Sequence, residues 1–137
     1  MNILKGQGLL CRMDFVDGGP CTYARTFLVI DTDANDNTVT LLNVSSLNKK
    51  PYKLLYPSNK KIINYKPPFM MSSCVKLDGV YIIEYSSHLT SKLLAGGKTL
   101  SPPELRRIEA ELLAYSQTNT IQDVYYDTNQ FKAFNGM

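Results

Sequence analysis

Residues 24–46 read "ARTFLVIDTDANDNTVTLLNVSS". Two runs rich in β-branched residues, 26–31 and 38–44, flank the cluster "DANDN". Asp and Asn tolerate left-handed backbone and bond their own main chain, so the cluster predicts the turn of an antiparallel hairpin. A turn centred on Asn35 sets Val29 across from Leu41, Phe27 across from Asn43 and Arg25 across from Ser45. Directly opposed side chains share a face, with β-carbons about 5 Å apart. An arginine and a serine then meet at the open end of the hairpin, beyond its apolar middle. One reading of the pair is a solvated cation beside a polar strand end. The other is chemical: a guanidinium fork matches phosphate oxygens bidentately, and a hydroxyl beside it can bind the same phosphate.

Working outward, residues 8–15, "GLLCRMDF", predict a strand that "DGGP" at 17–20 breaks. Residues 47–72 form a basic stretch with Pro51, Pro57, Pro67 and Pro68, read as short edge strands within a mobile loop. "SCVKLDGVYIIEY" at 73–85 predicts one or two further strands. If Val75 and Leu77 point inward, alternation places Lys76 and Asp78 together on the other face. A carboxylate there could take the proton of a ribose 2′-hydroxyl, although neighbouring cations lower its basicity, and a surface ion pair is the competing reading. The period then changes. "SSHLTSKLL" suggests a short helix, and "SPPELRRIEAELLAYS" a longer one, with Ser101 as cap, Pro102 in the first turn and Glu104 three residues after the cap. Its stripe of Leu105, Ile108, Leu112 and Tyr115 should pack on a sheet. Residues 117–137 are polar with scattered aromatic and aliphatic side chains, compatible with a helix, a strand or a mobile tail. The expected fold class is α+β in one domain: a small, strongly bent antiparallel sheet or barrel with packed helices, spanning residues 1–116 and extended by 117–137.

Charge is distributed unevenly. Between Asn37 and Leu77 there is no acidic residue and seven lysines occur, leaving eight of the fifteen basic groups elsewhere against all twelve acidic ones. Lysines interleaved with Tyr52, Tyr56 and Tyr65 suit a single-stranded nucleic acid, whose bases stack on aromatic faces while lysines hold phosphates. The alternative is a lysine-rich surface that aids solubility. No apolar stretch approaches membrane-spanning length and the start lacks a signal-peptide pattern, so the expected location is cytoplasmic, with no membrane partner. Cys11, Cys21 and Cys74 form no CxxC spacing and read as buried reduced thiols. With a single histidine and no carboxylate cluster, no metal or cofactor is expected.

From about Gly6 to Tyr115 the residues resemble the MazF/PemK family of toxin endoribonucleases. "GQGLLCRMDF" is similar to the family's opening strand, the hairpin to its Arg-Pro-x-x-Val-Ile block, and "SSCVKLDGVYIIEYSSHL" to its late strand. The resemblance implies an SH3-like barrel. Carried over by position, Arg25 falls on the catalytic arginine, Ser45 on the catalytic threonine and Asp78 on a carboxylate proposed as general base, with Lys76 at a neighbouring basic residue. Thr26, Gln7 and Gly79 depart from the usual proline, aspartate and RNA-contacting glutamine.

What the resemblance implies is metal-independent cleavage of single-stranded RNA by 2′-hydroxyl attack, leaving a 2′,3′-cyclic phosphate and a free 5′-hydroxyl. The RNA-binding candidates are Lys49, Lys50, Lys53, Lys76, Ser46 and Tyr52; His88 is a possible acid but reads as a surface residue. A homodimer and a protein antitoxin with an acidic, disordered segment are the partners implied. Two rivals are a non-catalytic RNA-binding barrel and a CcdB-like gyrase poison of the same fold, the latter weakened by the absence of tryptophan.

Overall fold

In the computed structural model, which describes residues 1–137, the hairpin forms as β2 (Arg25–Asp33) and β3 (Thr38–Ser46). Thr26 faces Val44, Phe27 faces Asn43 and Val29 faces Leu41, as predicted. Near the turn the pairs run one step differently, from Asp31–Thr40 to Asp33–Thr38, because the register shifts between Val29 and Asp31. The turn is thus centred between Asn35 and Asp36 rather than on Asn35, and a bulge at Ile30 restores the expected facing pairs. The Asp33 carboxylate accepts from the amides of Asn35 and Asp36, and Asn37 takes φ 55°.

β1 (Gly8–Cys11) pairs antiparallel with β2 but stops short of the predicted Phe15. Beyond Cys11 the backbone amides donate to Asn135 and Tyr126 and the carbonyls accept from Arg25, all side chains, instead of pairing in a ladder. The second edge of β3 is divided. Thr38–Leu41 pairs with β6 (Gly79–Glu84), and Val44–Ser46 with β5 (Ser73–Lys76), so β5 and β6 are one strand path broken at Leu77 and Asp78. In the basic stretch, Pro51–Leu55 forms a 3₁₀ turn, and β4 (Asn59–Lys61) is a short edge strand on β5. "SSHLTSKLL" becomes a 3₁₀ turn at Ser87–Lys92. α1 is Pro102–Thr118. The chain then adds β7 (Gln122–Tyr126), parallel to β6, and α2 (Thr128–Phe134). The fold is α+β: a seven-stranded sheet, antiparallel except at β6–β7.

Alternation along β2 loads both faces of this sheet. Phe27 and Val29 enter one core with Leu9, Met13, Leu41, Tyr81 and Ile83, closed by Tyr126 and Phe131. Leu28 and Ile30 enter a second core with Leu42, Val44 and Val75, closed by Leu105 and Ile108 of α1. Leu112 and Tyr115 complete the predicted stripe as partly buried neighbours.

The cap of α1 differs from expectation. Ser101 makes no side-chain cap bond. Glu104 is drawn away from the helix start: its carboxylate accepts from the Ile63 amide at 2.6 Å and from Arg107 at 2.7 and 2.8 Å. Arg107 in turn donates to the Lys61 carbonyl, so this pair ties α1 to the basic segment. The Arg107 hydrogen bonds hold the Glu104 carboxyl below its ordinary range. That contribution is complete above the unfolded carboxylate pKa of about 4.3 and is lost as pH falls through the lower folded value. Glu104→Gln is expected to cost roughly 1–3 kcal/mol at neutral pH. Denaturant unfolding at neutral and acidic pH should show the wild type losing more stability on acidification than the variant; parallel losses would count against this role.

Candidate active site

The register across β1, β2, β3, β5 and β4 aligns side chains in rows. Cys11 faces Arg25, and one further step of the hairpin register sets Arg25 across from Ser45. Ser45 faces Cys74, and Cys74 faces Lys61. The adjacent row on the same face holds Phe27, Asn43 and Asn59, with Lys76 opposite Asn59. The arginine and serine therefore share a face at the open end of the hairpin.

A cleft of about 200 Å³ opens beside Arg25, lined by Phe15, Arg25, Asn43, Lys76, Asp78 and Tyr81 among others, while Ser45 shares the face but does not line it. Arg25 is held firmly in it. Its Nη2 donates to the carbonyls of Met13 (3.1 Å) and Asp14 (2.8 Å) and to the Tyr81 hydroxyl (3.0 Å). The guanidinium lies 4.5 Å from the Phe15 ring centroid, with the rings of Phe27 and Tyr81 at 5.4 and 5.9 Å. The Tyr81 hydroxyl donates to the Asp14 carbonyl at 2.6 Å, and burial pushes its phenol above the ordinary value. Yet Arg25 joins none of the ion pairs of the protein, and its buried Nε has no hydrogen-bond partner. Withdrawn cations are normally paired or hydrogen-bonded at every donor. Here three aromatic faces and two carbonyls fix the charge through Nη2, Nε is closed off, and Nη1 keeps its donors free for an anion.

Ser45 is organised by a residue eight positions on. Lys53 donates to Ser45 Oγ at 2.7 Å and to the Ser46 carbonyl at 2.8 Å. Accepting from an ammonium leaves the serine hydroxyl proton to be donated elsewhere. Burial, together with Lys50 and Lys76, lowers the Lys53 pKa from its ordinary value, and Cys74 opposes that shift. Val75 and Leu77 are fully buried, and Lys76 and Asp78 line the cleft together, as alternation predicts. The break between β5 and β6 at this point aims Asp78 into the cleft, a common use of strand irregularities beside functional sites.

Other candidates lie elsewhere. Ser46 is on the opposite face, against Met71, and lines a separate apolar groove with Phe69 and Met70. Lys49, Lys50 and Tyr52 are exposed around the Pro51–Leu55 turn and do not line the cleft. Lys60 points toward Glu111 of α1 at 3.9 Å, so the seven lysines do not form one surface. His88 sits in the 3₁₀ turn outside the cleft. Gly79 has a steric reason: a β-carbon there would come within 2.5 Å of both Val16 methyls, leaving no room for glutamine while that loop holds its place. Asn43, Tyr81 and Phe15 were missed as site residues. A lone asparagine inside "LLNVSS" was the available signal for the first, and it proves to be buried with its amide donating to the Thr26 carbonyl.

No group of three or more His, Cys, Asp or Glu side chains is placed to hold a metal ion. All three cysteines are free and buried, and burial raises the Cys11 thiol to about 12. No helix is long and apolar enough to cross a membrane. Compared with known protein families and with curated protein sequences, the chain finds no match.

Proposed function

We propose that this chain is a metal-independent endoribonuclease of the MazF/PemK type, a cytoplasmic toxin with an SH3-like barrel that cuts single-stranded RNA. The observation that carries the reading is Arg25: a cation fixed by two carbonyls and a tyrosine, without a carboxylate partner, in a polar cleft that also holds Lys76 and Asp78. A scissile phosphate seated there meets free guanidinium donors from Arg25, and Ser45, on the same sheet face beside the cleft rather than in its lining, offers its hydroxyl proton from the edge. Asp78 removes the proton from the adjacent 2′-hydroxyl, the 2′-oxygen bonds to phosphorus, and the 5′-oxygen leaves and takes a proton from solvent. Arg25 and Ser45 stabilise charge growing on the non-bridging oxygens, and Lys53 keeps the serine oriented as donor. Lys49, Lys50 and Tyr52 guide the flanking strand, since Tyr52 is 56% exposed and available for stacking. A homodimer, and an antitoxin with an acidic, disordered segment competing for the same basic surface, belong to this reading.

Purified protein incubated with a mixed-sequence RNA in EDTA is expected to cut it. Ser45→Ala should slow cutting by about 10²-fold, the loss typical of removing one transition-state donor. Binding without cutting would favour the non-catalytic RNA-binding barrel, and trapping of gyrase on DNA the CcdB-like reading.

A further inference from the structure

The segment after β1 is fastened from two sides. Toward the cleft, the carbonyls of Met13 and Asp14 accept from Arg25 Nη2. On the other side, residues more than a hundred positions away hold the same backbone. Asn135 brackets Arg12, its Oδ1 accepting from the Arg12 amide at 2.8 Å and its Nδ2 donating to the Arg12 carbonyl at 3.1 Å. The Tyr126 hydroxyl accepts from the Asp14 amide at 3.0 Å. Since β1 ends at Cys11, no strand ladder fixes residues 12–14. Tyr126 is itself secured by the Phe134 ring, 5.2 Å away, and Asn135 by a bond to the Phe131 carbonyl at the end of α2.

We propose that the C-terminal segment is a positioning clamp for Arg25, with Asn135 and Tyr126 holding the backbone whose carbonyls aim the guanidinium. The kinetic consequence rests on the nuclease reading; the positioning itself does not. A guanidinium anchored by two carbonyls points only as well as those carbonyls are held. Small displacements of a transition-state donor cost rate more than substrate affinity. Nε of Arg25 is buried and unpartnered, so the exchange of its proton with water reports how firmly the guanidinium is held in place.

The experiment compares wild type, Asn135→Ala and Tyr126→Phe, the second retaining the ring in the core. With ¹⁵N-arginine labelling, and the resonance identified from an Arg25→Lys spectrum, water exchange of the Arg25 Nε proton is expected to rise about tenfold in both variants without RNA. In RNA cutting, each variant should lose about tenfold in kcat with KM unchanged, and nothing further in an Arg25→Ala background. Unchanged exchange, or equal losses in both backgrounds, would overturn the clamp. If the wild type cuts no RNA while exchange still rises, the nuclease reading falls and the clamp stands.

Discussion

Arg25→Ala is expected to lower RNA cutting by about 10²–10³-fold or more while the protein stays folded. The tolerance follows from the surroundings: the Tyr81 hydroxyl still donates to the Asp14 carbonyl, and Phe15, Phe27 and Tyr81 remain to close over the space. Arg25→Lys should recover little. An ammonium is a point charge with three donors, and it cannot meet the Met13 and Asp14 carbonyls and the Tyr81 hydroxyl while presenting a planar fork to a phosphate. Single-turnover rates on a short RNA, with circular dichroism to confirm folding, check both variants. Retention of most activity in Arg25→Lys would mean that charge alone, not fork geometry, is what the cleft uses.

Phe131→Ala is expected to be the most destabilising single change in the C-terminal region, at about 3–5 kcal/mol. Phe131 is 1% exposed and shares a core with Met13, Phe27 and Tyr81. Its truncation leaves a cavity beneath the residues that anchor Arg25. Denaturant melts should show the midpoint falling by that amount. A loss below about 1 kcal/mol would indicate that α2 lies on a finished domain and contributes little to it.

The hairpin was legible in the sequence because two independent signals agreed: β-branched apolar runs and an Asp/Asn turn cluster. The facing of Arg25 and Ser45 survived a shift of the turn's centre only because the Ile30 bulge compensated for it, and no residue type announces such a bulge. Lys76 and Asp78 were legible through alternation around buried Val75 and Leu77. Ser46 was misplaced for the same reason: neighbours in a strand point to opposite faces, and Ser46 follows Ser45. Ser101 stands at the N-cap as predicted, but its side chain makes no cap bond, and Glu104 does not return one because it has a long-range partner in the Ile63 amide, which no local pattern reveals. The C-terminal segment was less legible still. "DTNQ" at 127–130 is a capping box in the structure, with Asp127 and Gln130 reciprocally bonded, and it was there to be read. The pairing of β7 with β6 was not, since a parallel partner after a long connection leaves no short-range trace.

The most direct test of the central claim is the chemistry of the ends left on a cut RNA. Fragments made in EDTA should carry 5′-hydroxyls that polynucleotide kinase labels without prior phosphatase treatment, and 2′,3′-cyclic phosphates on the other side of each cut. Fragments bearing 5′-phosphates and free 3′-hydroxyls, or an RNA left whole, would contradict a site in which Arg25 in the cleft and Ser45 beside it serve attack by the substrate's own 2′-oxygen.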